Sequence, residues 1–519
     1  MMRALTEAPL FVVLIAIGAL AMQVPAIHAV TGGHYAVARS FFYSGILFLG
    51  LSLLLGLAGA ANAEGRTSRA HLVTMLASFL LLPLELATPF YLAVPDTTLF
   101  RSWWEMVSCL TTTGATLYDP ERLIGSLHLW RALIGWLGGY FILVMAIAVL
   151  APLRLGGFEI FGSGAATHSA NLRADPVRAV GGGEAPTFFT DDIAEPGERI
   201  RHFARVLLPA YAGLTAVLWL LLVTVGEDGL VALCHAMSTL STSGISPLGT
   251  LGRGEGGIPG EMFIFLFLIP ALSRRLWPGG GELRASARLR DDPELRLAAV
   301  LVLLVTQVLF MRHWLAALEI DTPVAPGQVL RSVWGGLFTS LSFLTTTGFA
   351  SGSWNEARTW SGLGTPGLIL AGLAVTGGGI ATTAGGIRLL RIYALLRHGE
   401  RELVRLVHPA AVHGGGPTAR WLRRQGAYTA WIFFMLFMLS GAVIMAAVSL
   451  AGMRFEPGAV MTIAALSNTG PLAAIALDTP LRWSELDAGP QFILALAMVL
   501  GRLETLAIVA LFNPDFWRG

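Results

Sequence analysis

The chain reads as an all-α integral membrane protein built from four related units around one central pore, and three observations lead there. Of its 519 residues, 54% are hydrophobic and only 13% are charged, against about 25% charged in an ordinary soluble domain. Apolar runs long enough to cross a bilayer, which takes about 20 helical residues, recur along the whole length. Between them one unusual polar loop appears four times, as SCLTTTGAT at Ser108–Thr116, MSTLSTSGISP at Met237–Pro247, LSFLTTTGFASG at Leu341–Gly352 and LSNTGPL at Leu466–Leu472.

Taken in order, apolar spans are expected at Leu10–Val30, Phe41–Ala63, His71–Val94, Leu127–Leu150 and Val206–Val225. Met262–Leu272 is short and interrupted by Pro270. Leu297–Leu318, the glycine-broken Gly364–Leu396, Trp431–Ala451 and Gln491–Phe512 complete ten. The first run carries a small-x-small sequence, Ala19-Leu20-Ala21, of the kind found at signal-peptide cleavage sites. It continues apolar to Val30, so an uncleaved span is the expectation. The two first spans, 1–64, form a hairpin outside the repeats. Pore units then occupy 65–155, 201–276, 295–400 and 401–519, with cytoplasmic linkers at 156–200 and 277–294. Each unit runs span, short helix, Ser/Thr-Gly loop, span, a duplication of the kind found in transporters.

All 35 basic residues are arginine. They cluster between alternate spans: Arg66 and Arg69, then Arg154 to Arg205, Arg274 to Arg296, and Arg388 to Arg424. Loops on the other side, such as Leu117–Ser126, are neutral to acidic. The positive-inside rule places both termini and the arginine-rich connections in the cytoplasm and all four repeated loops outside. The two cysteines, Cys109 and Cys234, imply no disulfide framework or metal cluster.

The repeated loop suits a cation filter. A dehydrated cation needs oxygens that replace its hydration shell, and rings of backbone carbonyls supply them. Irregular backbone at membrane depth survives only where it lines a cavity or is buried in protein. Glycine permits the angles that aim successive carbonyls at one axis, and Ser or Thr adds hydroxyls without charge. The helix before each loop points its negative end at the axis. A single TTTG would be read as small-residue helix packing; four on one side favour the filter.

Gly364–Leu396 cannot be one regular helix. Its centre runs Thr376-Gly377-Gly378-Gly379-Ile380-Ala381-Thr382-Thr383-Ala384-Gly385-Gly386, and each interior glycine costs about 1 kcal/mol of helix. A phosphate-cradling loop is excluded by the lack of a following GK[ST]; a flexible gate beneath the filter fits. Arg502, midway along the last span, costs at least ~2.5–3.5 kcal/mol to insert, and is expected to donate to carbonyls freed around Gly377–Gly386. Glu504 is a candidate partner for Arg388 or Arg391. Glu105 supports the filter or is a helix-entry carboxylate, and Glu85 has no assignable partner. His235 with Ser238 has the spacing of a base and a nucleophile but no orienting acid, so a satisfied buried histidine is the better reading.

These residues resemble the Trk/Ktr/HKT superfamily of potassium transporters, and within it the Trk-type pore-forming membrane subunit. The resemblance rests on WWEMVSCLTTTGAT (Trp103–Thr116), ALCHAMSTLSTSGIS (Ala232–Ser246), LSFLTTTGFA (Leu341–Ala350) and ALSNTGPLAA (Ala465–Ala474). TTAGGIRLLR (Thr382–Arg391), GRLETL (Gly501–Leu506) and the terminal LFNPDFWRG add to it. It implies filter glycines at Gly114, Gly244, Gly348 and Gly470, with a first-loop glycine tied to potassium selectivity. The candidate K+ ligands are then Thr112, Thr113, Gly114, Thr242, Ser243, Gly244, Thr346, Thr347, Gly348, Asn468, Thr469 and Gly470. Two departures stand out: Ser243 where many members have glycine, and Thr469 where valine is common. An intramembrane gating loop is implied at Gly377, Gly378, Gly379, Thr382, Thr383, Gly385 and Gly386, with Arg502 beside it. The resemblance further implies a homodimer in the cytoplasmic (inner) membrane, in contact with lipid, and a separate cytoplasmic nucleotide-binding regulatory subunit. The arginine-rich connection Arg388–Arg424 is a candidate docking surface for that subunit. No cofactor is expected in the chain, K+ at the filter being cargo, and nothing suggests nucleic acid. The rival readings are a sodium-permeable or ion-coupled symporter and, more distantly, an intramembrane enzyme using Ser238, His235 or Glu85.

Overall fold

The computed structural model describes residues 9–59, 68–158 (save 154 and 156), 196–278, 289–319, 326–355, 358, 365–408 and 424–503 (save 478). Every regular element among them is helical. Apolar runs become helices because a backbone removed from water must satisfy its own N–H and C=O groups. In chain order these are α1 (Leu10–Ala21), α2 (Gln23–Thr31), α3 (Tyr35–Gly59), α4 (Ser68–Ala93), α5 (Leu99–Leu110) and α6 (Gly125–Met145). Then follow α7 (Pro196–Thr224), α8 (Gly229–Ser241), α9 (Gly257–Leu268), α10 (Pro293–Glu319), α11 (Pro326–Leu344) and α12 (Gly367–Thr376). The remainder are α13 (Leu389–Val407), α14 (Arg424–Leu450), α15 (Phe455–Leu466), the single turn α16 (Leu472–Ile475) and α17 (Ala488–Leu503).

Among the described residues, seven helical stretches are long and apolar enough to cross a membrane, against ten expected spans. The difference lies in the last helix of repeats two to four, because α9, α12 and α17 are shorter apolar helices. Pro270 ends α9 in a tight turn at Ile269–Leu272, and α12 stops at Gly377, whose φ of 73° leaves the helix. Described residues stop at 503, so the end of the last span lies outside them.

The four units share one plan: long helix, short helix, loop, helix. They are α4–α5–α6, α7–α8–α9, α10–α11–α12 and α14–α15–α17. Two of the short helices start on side-chain caps, which satisfy otherwise orphaned N–H groups. Thr98 Oγ1 accepts from Arg101 N at the start of α5, and Asp228 caps Leu230 and Val231 at α8. Each of the later short helices packs on the final helix of the unit before it: α8 on α6, α11 on α9 and α15 on α12. The circle closes through α17, which packs on α5 of the first unit. There Trp104 Nε1 donates to the Gln491 carbonyl at 2.8 Å, and Trp103 stacks on Phe492. The hairpin α1–α3 packs outside this ring against α4 and α6, where His28 Nδ1 and Ser126 Oγ lie 2.8 Å apart.

Candidate functional site

The four loops end their helices in one way. At each, the first loop residue returns its N–H to the carbonyl four back, and the third returns its own five back: Thr113 to Ser108, Ser243 to Ser238, Thr347 to Ser342 and Thr469 to Ala464, at 2.8–2.9 Å. The residue between is forced into the left-handed region, with φ of 55° at Thr112, 53° at Thr242, 59° at Thr346 and 55° at Asn468. Glycine usually takes that position at a helix end. A threonine there costs on the order of 1–3 kcal/mol, and the chain accepts that strain at three of its four loops. Gly114, Gly244 and Gly348 follow at φ of 71°, 66° and 80°. Gly470 departs from them because it precedes Pro471, whose ring steers the preceding residue toward extended backbone, and α16 begins at once.

These glycines also touch one another's loops in cyclic order. A Cβ on Gly114 would overlap the Ser243 carbonyl, and one on Gly244 would overlap that of Thr347. A Cβ on Gly348 would sit 3.1 Å from Pro471, and one on Gly470 would crowd Ala115 N and lie 2.7 Å from Thr113 O. Gly470 N donates to Thr113 O at 2.6 Å, and Asn468 Nδ2 to Thr113 Oγ1 at 3.0 Å. The four loops therefore meet as a closed ring, one to two to three to four to one. Among the described residues, no hydrogen-bond donor reaches the carbonyl oxygens of Thr112, Thr242, Ser243, Thr346 or Thr347. All five residues are buried. Buried main-chain carbonyls are almost always paired, so a cluster without protein donors has oxygen to offer a cation.

A second layer braces the chain leaving each loop. The residue nine positions before the loop glycine is Glu105, His235, Thr339 and Met461. Glu105 Oε2 accepts from Leu117 N at 2.9 Å, while its other oxygen meets Arg131 at 2.7 Å. His235 Nε2 shares a 2.9 Å hydrogen bond with Ser246, and Thr339 Oγ1 accepts from Ser351 N at 3.3 Å. Met461 has no such capacity; there Trp483 Nε1 donates to Gly470 O at 3.2 Å instead. Glu261 takes Ser351 Oγ, Gly352 N and Trp334 Nε1, each at 2.7 Å. Glu227 accepts from Gly256 N.

The stretch between α12 and α13 crosses against three loops. Thr383 Oγ1 donates to Leu240 O at 3.1 Å and Gly385 N to Thr346 Oγ1 at 2.7 Å, while a Cβ on Gly385 would overlap Ser467 O. Gly379 N and Thr382 Oγ1 both donate to Ala271 O. Gly377 and Gly386 pack against one another, and Gly378 lies against Ala271 O and Ala384. Arg502 Nη1 donates to Thr383 O at 2.7 Å, the kind of bond expected from its sequence. Arg388 Nη1 donates to the carbonyls of Gly379 and Ala384, and Glu294 Oε1 accepts Ile380 N at 2.8 Å. Glu294, at the start of α10 and within the stretch read as linker, was not singled out from sequence; nor were Glu227, Glu261 and Arg131. A lone arginine amid the apolar residues of α6 was the one available signal.

One expectation needs correction. Arg388 and Arg391 are buried, the first on loop carbonyls and the second with its guanidinium 3.5 Å from the Phe433 ring centre. The docking surface expected over Arg388–Arg424 therefore loses them; Arg397 and Arg405 of that stretch are exposed and pair with Glu400 and Glu402. His235 is the satisfied buried histidine expected from sequence, bonded to Ser246, while Ser238 Oγ bonds Ser243 Oγ at 3.0 Å. His235 also lies 3.7 Å from Glu227. Glu85 is buried beside Gly18, without a hydrogen-bond partner among the described residues. Glu504, and with it the expected pairing to Arg388 or Arg391, lies outside the described residues.

Comparison with known proteins bears on the whole. Residues 264–518 match the family model TrkH, described as a cation transport protein. The chain is 29% identical over 433 residues to the Trk system potassium uptake protein TrkH of Escherichia coli K12, covering 82% of this chain and 80% of that protein. Against the Trk system potassium uptake protein TrkI of Halomonas elongata it is 26% identical over 440 residues, 83% of this chain and 80% of the relative. The crystal structure of the potassium transporter TrkH from Vibrio parahaemolyticus superimposes with a TM-score of 0.77 at 24% identity, over 100% of both chains. That likeness shows a shared fold.

Proposed function

This chain is a Trk-type potassium-transporter membrane subunit, a transport protein rather than an enzyme, and from that premise we propose that it takes K+ into the cell through a pore. The ion sheds water at the ring of four loops, crosses it, and moves inward under the membrane potential, worth ~2.3 kcal/mol per charge per 100 mV. The observation that carries the reading is the closed ring of four loops, with buried carbonyls in the first three that no donor among the described residues reaches. Carbonyl oxygens of Thr112, Thr242, Ser243, Thr346 and Thr347 replace the hydration shell, joined by others of Thr113, Gly114, Gly244, Gly348, Asn468, Thr469 and Gly470. The C-terminal ends of α5, α8, α11 and α15 run into these loops, bringing four negative dipole ends to one place.

Passage below the ring is controlled by the stretch Gly377–Gly386, including Thr382 and Thr383 and held by Arg502. Contact with three loops gives it the position for that task. The protein is a multi-pass protein of the cytoplasmic membrane with both termini inside. It works as a homodimer, and a cytoplasmic nucleotide-binding subunit regulates it.

Purified protein in liposomes tests the reading. K+ flux should exceed Na+ flux, and Gly348→Ser should lower that ratio, because a side chain at φ of 80° and against Pro471 strains the loop. Sodium flux equal to potassium flux in the unmodified chain would favour a sodium-permeable transporter. A ratio unmoved by Gly348→Ser would remove the ring from the ion path.

A further inference from the structure

The four loops share a device of which only one half lies among the ion-binding residues. The residue two before each third-position residue carries a hydroxyl, and so does the third position itself: Thr111 with Thr113, Ser241 with Ser243, Thr345 with Thr347, Ser467 with Thr469. In every copy the two hydroxyls are hydrogen-bonded, at 2.8, 3.0, 3.1 and 3.2 Å. In every copy the first hydroxyl also donates to the carbonyl four residues back on its own helix, at 2.7 Å from Thr111, 2.8 Å from Ser241, 3.1 Å from Thr345 and 2.7 Å from Ser467. The bridge thus runs from the helix end, over one residue, to the loop. The residue it spans is the strained one, Thr112, Thr242, Thr346 or Asn468, each left-handed.

Four copies in one chain serve as an internal comparison. The spanned residue varies between threonine and asparagine, and the brace nine residues before the glycine varies among Glu, His, Thr and Met. The two bridging positions vary only between serine and threonine. What is kept is the hydroxyl; the methyl is dispensable. Ser243 and Thr469, the two departures from the family pattern, both supply that hydroxyl. A left-handed β-branched residue persists only where its surroundings over-determine it, and a bond across it does this most directly.

We propose that Thr111, Ser241, Thr345 and Ser467 are positioning residues for ion selectivity: their hydroxyls clamp the left-handed residue of each loop and so fix the direction of its carbonyl. The proposal rests on the reading of the ring as an ion filter. It makes discrimination between K+ and Na+ depend on a group one step removed from the ion.

Threonine permits a clean test at Thr345. Thr345→Val keeps the shape and removes the hydroxyl, whereas Thr345→Ser removes the methyl and keeps the hydroxyl. The readout is the K+ to Na+ flux ratio of the full chain in liposomes, with Gly348→Ser measured in parallel. Thr345→Val should lower the ratio about fivefold, the equilibrium equivalent of one lost hydrogen bond, and Thr345→Ser should stay near the unmodified ratio. A packing role gives the reverse ranking, with valine tolerated and serine harmful, and that result overturns the proposal. So does a Thr345→Val ratio that does not move while Gly348→Ser shifts it, which leaves the filter reading standing. If neither variant shifts the ratio, the filter reading falls and the clamp with it. Thr111→Val and Thr111→Ser repeat the comparison in the first loop should the third-loop valine variant fail to fold.

Discussion

Glu105 shows how much of this site is decided one shell behind the loops. Its side chain is fully buried, one oxygen on Arg131 and the other on the main chain leaving the first loop. Removing one partner of a buried pair leaves the other charge uncompensated, which costs about 3–5 kcal/mol. Glu105→Gln keeps an oxygen for Leu117 N and strands the Arg131 guanidinium. The variant should melt at a lower temperature in detergent, as followed by size-exclusion recovery after heating, and its K+ to Na+ ratio should fall because the first loop loses its brace. An unchanged melting temperature would mean that Arg131 finds another counter-charge. Two of the three equivalent places do the same with different chemistry, a histidine on Ser246 and a threonine on Ser351, while at Met461 the brace passes to Trp483.

At the scale of elements, helices that follow the loops run hard against the helices that precede them. A Cβ on Gly138 in α6 would overlap the carbonyl of Leu110, the last residue of α5, and one on Gly501 in α17 would overlap that of Leu466, the last of α15. Gly501→Val therefore pushes α17 off α15, at a cost of about 1–3 kcal/mol or more for overpacking. It also carries Arg502 away from Thr383. Lower thermal stability together with altered flux is the expected pair of results; altered flux alone would place the effect at Arg502. Much of this level is legible in the sequence. The spans, the repeated loop and the broken helix at Gly377–Gly386 are local patterns in composition. The pairings are not. Glu105 with Arg131, Glu261 with Ser351, Glu294 with Ile380 and Trp104 with Gln491 join residues far apart in the chain, and no spacing rule relates them. Arg388 shows the reverse difficulty: its sequence setting matches a solvated arginine cluster, and only packing reveals that it is buried on loop carbonyls.

For the whole molecule, the last described helix reaches back to the middle of the third unit. Arg502 donates to Thr383, and Thr383 in turn touches the end of α8. Three units are thus tied at one residue beneath the loops. Arg502→Met keeps much of the side-chain length and removes the donor, so the stretch Gly377–Gly386 should loosen and K+ flux should rise in liposomes that hold this chain alone. Unchanged or lower flux would count against a gating role for that stretch. The Thr382 and Gly379 contacts to Ala271 remain in this variant, so the fold should survive the change.

The cyclic contact of four loops from a single polypeptide has a consequence for how such a ring can change over generations. A ring of four identical chains is altered at all four places by one codon. Here one codon alters one place, so a substitution is diluted fourfold, three neighbours keeping their old residues. Stepwise drift becomes tolerable: asparagine can stand at 468 where threonine stands at 112, 242 and 346, and a proline can follow one glycine and no other. Each quarter is free to be inherited as a separate trial.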